Sequence, residues 1–310
     1  MIIYTHQDCL LKFNGKNHPE KKERLESVLN SISNINEFEI TIKDAPYGKI
    51  EDISLVHPKK YIESIFASIP NDGLIGIEKE PYADTKLCPY SKNAILRSVG
   101  AGIAAADDIF TKKIDRVFCA IRPPGHHAET KRANGFCFFN NVAITAMYIK
   151  KNYKVNKIAI LDFDVHHGNG TQEIFNKEKN IFYGSIHESP LFPGTGFKNE
   201  IGVGNIFNAP IKSGTSGQDF IKIFKNQILD RVNLFKPDVI LISAGFDAHY
   251  RDPLANINLE SKDFYEITQM IVELSNVHTE GKIISFLEGG YDLTALNESI
   301  KEHLTALNKS

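Results

Sequence analysis

No apolar run in this sequence approaches the length of a bilayer-spanning helix, so a membrane protein is not expected. Cysteine is scarce. Cys9, Cys88, Cys119 and Cys137 lie far apart with no CxxC pair, which excludes a disulfide scaffold and a cysteine zinc finger. No block of like charge occurs, and a formal net charge of -2 with a pI near 6.6 gives no general pull toward nucleic acid. The stretch HPEKKER is interrupted by glutamates and reads as a solvated helix face. The N-terminus MIIYTHQDCL lacks the basic segment and long apolar core of a signal peptide, so a reducing, cytoplasmic setting is expected. Repeats, low-complexity tracts and Pro/Gly/Ser linkers are missing too, and residues 1–310 read as one domain. None of this bears on oligomeric state.

What the chain does have is material for a large core: 310 residues, 42% of them hydrophobic. Short apolar runs recur at VFCAI (from Val117), IAIL (Ile158), VILIS (Val239) and IISFL (Ile283). Runs without polar alternation suit parallel strands buried on both faces. Between them lie helical patterns. In SKDFYEITQMIVELSN, Phe264, Ile267, Ile271 and Leu274 form an apolar stripe, with Ser261 placed to cap it; GQDFIKIFKNQILDRVNLF is similar. Strands alternating with helices predict an α/β fold, a three-layer α/β/α sandwich around a mostly parallel sheet.

Each of the four runs is followed by reactive side chains: RPPGHH, DFDVHHGNG, AGFDAH and EGGYD. All fall on the carboxyl side, the edge where open α/β sheets bind ligands. One shared site is the economical reading. In LDFDVHHGNGTQ, strand alternation would put Asp162, Asp164 and His166 on one face. Two carboxylates and an imidazole suit a divalent cation, and Asp247 is placed to add a ligand from another strand. A satisfied polar cluster is the alternative, and Asp247 taken alone reads equally as a turn or helix cap. His126 and His127 sit in a loop stiffened by two prolines and a glycine, as proton-relaying histidines require. Tyr291 follows two glycines that permit close approach; taken alone it reads as a packed aromatic.

RPPGHHA, GFCFFNNVA, LDFDVHHGNGTQ, PGTG, GFDAH with DPL, and LEGGY occur in this order, after HQDCLL and HPEKKERL. In these motifs the chain resembles the zinc-dependent histone deacetylases and their bacterial relatives, the acetylpolyamine amidohydrolases among them. The resemblance implies Asp164, His166 and Asp247 as zinc ligands with open coordination, and Fe(II) or Co(II) as substitutes. It implies His126 and His127 as general base and acid, His127 the main proton carrier, and Tyr291 as donor to the developing oxyanion. Asp162 would orient His126 and Asn169 would face His127. Asparagine there resembles the class II enzymes and the bacterial amidohydrolases, and supports an imidazolium less than aspartate would. Asp162 and Ser185, with backbone carbonyls near Asp164, His166 and Ile186, match a buried monovalent-cation (K⁺) site.

By the same resemblance Phe136 and Phe192 wall an acyl-amine tunnel, and Gly135 sets a carbonyl beside the substrate amide. Leu254 falls where a polyamine-selective relative carries a glutamate, and Asp84 matches a rim residue that grips a substrate backbone. The implied activity is removal of acetyl, or a similar acyl group, from lysine side chains of proteins or peptides. A small-molecule deacylase acting on acetylpolyamines or other acylated amines is the alternative. An arginase-like ureohydrolase would need a two-metal cluster, against which Asn169 and Tyr291 speak. An inactive acyl-binding protein would not need the full catalytic set.

Overall fold

The computed structural model describes residues 1–77, 84–112 and 114–309. Among them are ten strands. They are β1 (Ile2–Thr5), β2 (Thr41–Asp44), β3 (Ile75–Gly76), β4 (Lys86–Leu87), β5 (Arg116–Cys119), β6 (Ile158–Asp162), β7 (Ile181–Glu188), β8 (Ile206–Ile211), β9 (Val239–Ala244) and β10 (Ile283–Leu287). β3 and β4 pair antiparallel by themselves. The other eight form one sheet in the order β2-β1-β5-β10-β9-β6-β7-β8. Every neighbouring pair in it is parallel, where a mostly parallel sheet was expected.

Alternate strand residues serve opposite layers, which explains the lack of polar alternation. Ile3, Phe118, Leu161 and Ile283 pack with Leu25, Phe264 and Ile300 on one face. Tyr4, Val117, Ile160 and Ile284 pack with Ala105 and Ala146 on the other. The result is the expected three-layer sandwich, helices on both faces of the sheet. The predicted runs became β5, β6, β9 and β10, the four central strands. The stripe Phe264, Ile267, Ile271 lies buried on the helix Ser261–His278.

Two local expectations need correction. Glu260, not Ser261, is the cap residue of that helix: its amide donates to Asp263 Oδ2 at 2.7 Å, and Asp263 N donates to its backbone carbonyl at 2.9 Å. HPEKKER is not a wholly solvated face either, since Glu20 and Arg24 are both 0% exposed. The Arg122 guanidinium is bonded to Glu20, and Lys12 lies 3.9 Å from the same carboxylate. Arg24 donates to the carbonyls of Glu288 (2.6 Å) and Gly290 (2.5 Å). The start of helix Lys22–Ser33 therefore grips the loop after β10, and a purely solvated pattern would have left those carbonyls unpaired.

Candidate active site

The loops after β5, β6, β9 and β10 meet at the carboxyl edge of the sheet. β6 ends at Asp162, so the following residues turn rather than alternate. Asp164 and His166 face Asp247 from the loop after β9, and one donor atom from each lies within 4.8 Å of the others. His166 Nδ1 is 3.2 Å from Asp164 Oδ1 and 3.1 Å from Asp247 Oδ2. The remaining oxygens are held by backbone amides: Gly289 N donates to Asp164 Oδ2 at 2.8 Å, and Val165 N to Asp247 Oδ1 at 2.9 Å. Gly245 and Gly289 make this approach possible, since a Cβ there would fall 2.1 Å and 2.0 Å from the carboxylate oxygens of Asp164 and Asp247. Burial raises the Asp247 carboxyl, and Asp164 beside it adds to the rise. Burial disfavours the His166 imidazolium, yet its bonds to Asp164 and Asp247 prevail and push it up to about 10. Two buried carboxylates converging on one ring nitrogen hold a cation there, whether proton or metal. One nitrogen and two carboxylates, with room for further ligands, fit zinc, and the oxygen-rich set also fits Fe(II) or Co(II).

Two adjacent histidines adjoin this cluster. His126 Nδ1 lies 3.0 Å from Asp162 Oδ2, which also accepts from the Tyr183 hydroxyl at 3.0 Å. Burial opposes a charge on His126, but Asp164, Asp162 and Glu288 outweigh it and push it up to about 10. His127 Nδ1 lies 2.9 Å from Asn169 Oδ1. Burial, with His126 and His166 nearby, drives His127 well below its ordinary value. Gly135, at φ +51, closes against this ring; a Cβ there would lie 2.4 Å from His127 Cδ2.

Sequence reasoning missed Glu288. Its carboxylate accepts from Gly125 N (2.7 Å), His126 N (3.2 Å) and the Ser243 hydroxyl (3.3 Å), which pins the tandem-histidine loop. Burial pushes it up to about 7. Asp252 was missed as well, although it lies in the DPL motif; it accepts from Tyr291 N at 2.7 Å. Both act on backbone amides, which leave no spacing signature.

Above the cluster opens a cavity of about 260 Å³, lined by Asp84, His127, Gly135, Phe136, His166, Leu191, Phe192, Leu254 and Tyr291. All but Leu191 were singled out from the sequence. Phe136, at φ +68, presents its ring edge-on to Tyr291 at 6.1 Å between centroids. The Arg24 guanidinium lies 4.9 Å from the centre of the Tyr291 ring. Burial holds the Tyr291 hydroxyl well above its ordinary value despite Arg24, so it stays a proton donor. The backbone carbonyl of Asp84 is paired with His18 Nε2 at 2.9 Å. Ser185 sits beside Asp162 in the β6–β7 register, its hydroxyl 2.9 Å from His187 Nδ1.

Fold and site together define an arginase/deacetylase-like α/β/α protein with an Asp–His–Asp cluster at the carboxyl edge of its sheet. Residues 18–307 match the family model described as the histone deacetylase domain, and the chain belongs to the histone deacetylase family. Histone deacetylase 14, chloroplastic, of Arabidopsis thaliana is 34% identical over 99% of this chain and 76% of its own length. A probable deacetylase of Archaeoglobus fulgidus is 33% identical over 94% of this chain and 81% of its own. The crystal structure of the HDA15 HD domain superposes with a TM-score of 0.91 at 30% identity, covering 100% of this chain and 91% of that one. A plant relative named chloroplastic shows that the family fixes no compartment. Among the described residues, no helix is long and apolar enough to cross a membrane.

Proposed function

We propose that the protein is a metal-dependent amidohydrolase that removes acetyl, or a similar acyl group, from lysine side chains of proteins or peptides. Membership of the histone deacetylase family supports deacetylation as the chemistry. The observation that carries the reading is the Asp164–His166–Asp247 cluster beneath a cavity shared by His127 and Tyr291. Zinc, or Fe(II) or Co(II) in its place, would be held by these three residues and would supply Lewis acidity and a water of lowered pKa. His127, kept neutral by burial, accepts a proton from the attacking water. That proton passes to the amine nitrogen as the C–N bond breaks, leaving the acyl group as a carboxylic acid. His126, held by Asp162, shares the acid and base work, and the Tyr291 hydroxyl donates to the negative charge developing on the acyl oxygen.

Phe136 and Phe192 pack against the alkyl chain, and the Gly135 carbonyl accepts from the substrate amide. Asp84 holds the substrate backbone at the rim, and Asp162 with Ser185 borders a K⁺ site. The whole chain, residues 1–310, acts as one catalytic domain. A reducing, cytoplasmic setting agrees with four buried free cysteines. Among acylated amines, the peptide reading is favoured by Leu254, which offers no charge to a distal ammonium. One preparation assayed on acetyl-lysine peptides, acetylpolyamines and longer acyl-lysines tests the proposal. Peptides should give the highest kcat/KM; a strong preference for acetylpolyamines would replace the peptide reading with the small-molecule one.

A further inference from the structure

Asn169, 6% exposed at the start of helix Asn169–Phe175, has two amide ends with different partners. Its Oδ1 lies 2.9 Å from His127 Nδ1, and its Nδ2 donates to Glu129 Oε1 at 2.7 Å. The two ends of an amide are nearly equal in shape, so His127 alone cannot choose between them. With Oδ1 facing the ring, Nδ1 carries the proton and Nε2 keeps a lone pair. With Nδ2 facing it, the protons are reversed and Nε2 is no longer a base. An ionised Glu129 has no donor, so it admits only Nδ2 and thereby settles the arrangement. An aspartate at 169 would need no such help, both of its ends being acceptors.

The loop that carries Glu129 is itself docked on the same helix. Thr130 donates to Glu173 Oε2 from its amide (2.9 Å) and its hydroxyl (2.6 Å). Gly170 packs against the Ala128 carbonyl, where a Cβ would fall at 2.2 Å. We propose that Glu129 is a positioning residue which, through Asn169, fixes the proton of His127 on Nδ1 and leaves Nε2 as the base. The inference rests on the reading of His127 as the proton carrier.

The test uses the zinc-loaded protein and three changes: Glu129→Lys, Asn169→Asp and the two combined. Glu129→Lys places a donor against Asn169, turns the amide and should lower kcat on the order of a hundredfold, as other losses of a correctly protonated base do. KM should stay within about twofold and the metal content should be unchanged. Asn169→Asp alone sets two carboxylates in contact and should lose roughly tenfold or more. Combined, the lysine donates to the aspartate, and kcat should return to within about fivefold of wild type. A residue that served only packing could not produce that recovery; losses that multiply in the combined variant would overturn the proposal.

Selective ¹⁵N-histidine NMR gives a reading independent of turnover. Nδ1 of His127 should be protonated in the wild type, and Glu129→Ala, should the lysine variant not fold, should show a mixture of tautomers. A single unchanged tautomer in Glu129→Ala overturns the relay. Wild-type protein inactive on every acylated amine would instead overturn the functional reading, while the NMR result still judges Glu129.

Discussion

The floor and the rim of the cavity are built on opposite principles. At the floor, Asp164, Asp247, His126 and His127 are at most 5% exposed, and each side chain is held by at least one hydrogen bond. At the rim, Phe192 is 42% and Leu254 is 36% exposed. A buried polar group left unpaired costs about 1–3 kcal/mol, so the floor tolerates little change. The rim carries no such constraint and can vary while the fold survives. On the proposed function, chemistry would be fixed where burial is complete, and substrate choice would lie where it is not. The floor contains a contrast of its own: Asp162 gives His126 a charge to lean on, whereas Asn169 gives His127 none. Two adjacent imidazoles in one loop are driven in opposite directions: burial opposes a charge on both, but Asp164, Asp162 and Glu288 lift His126, whereas His126 and His166 add to the fall of His127.

The harshest test of the floor is to remove a ligand. Asp164→Ala, His166→Ala or Asp247→Ala should abolish most metal binding and nearly all turnover. A variant with stoichiometric zinc and normal kcat would sink the assignment of that residue. Hydroxamates should inhibit the wild type by chelating an open-coordinated zinc, and full activity at saturating hydroxamate would count against the site.

The support of the floor comes next. Glu20 is buried among Arg122, Lys12 and Arg24; burial alone would raise its carboxyl, but Arg122 first and Lys12 second hold it well below the ordinary glutamate range. Glu20→Ala strands buried cations and should cost roughly 3–5 kcal/mol of unfolding free energy. A depressed carboxyl contributes its stability above the unfolded pKa and loses it as pH falls toward the folded one. The gap between wild type and variant in denaturant unfolding should therefore narrow below about pH 4. A gap that widens in acid would contradict the charge network.

A smaller effect is expected for Tyr291→Phe, which leaves the cluster intact and removes one donor. Turnover should fall roughly a hundredfold, with metal content and fold retained. KM should change less than kcat, because the bond strengthens in the transition state. An unchanged kcat would mean that Tyr291 is only a packed aromatic.

How much of this could be read from the sequence follows the same division. β5, β10, β9 and β6 adjoin at the centre of the sheet, are buried on both faces, and were legible as unbroken apolar runs. β2 is largely exposed, β8 contains Pro210, and β7 carries Ser185, His187 and Glu188 inward, so none of these presents such a run. In the site, Asp164, His166, Asp247 and the tandem histidines stood out because their chemistry is unusual at strand ends. Glu288, Asp252 and Glu129 did not, because they hold backbone amides or another side chain. Arg24 and Glu20 were misread outright: charge suggested solvent, and only the packing of helix Lys22–Ser33 on the loop after β10 shows why it is buried.

The smallest effect belongs to the rim. An acetylated polyamine keeps positive charge beyond the scissile amide, and a carboxylate at the cavity mouth would favour it electrostatically. Leu254 cannot, although its backbone is well placed: its amide donates to Asp252 Oδ1 at 3.0 Å, the residue that also holds Tyr291 N. A side chain introduced at 254 therefore starts from a fixed position at the mouth. Leu254→Glu should shift relative kcat/KM toward acetylpolyamines and away from neutral acetyl-lysine peptides by about 1 kcal/mol, or several-fold, as partly exposed ion pairs do. The shift should shrink at high ionic strength, where surface charges are screened. Turnover on the peptide should change little, because the floor is untouched. The measurement is kcat/KM for both substrates on both variants at low and high salt. If the wild type already prefers acetylpolyamines strongly and the glutamate changes nothing, selectivity arises elsewhere, with Asp84, which also lines the cavity, the next residue to replace, and the division between a chemical floor and a selective rim would have to be redrawn around it.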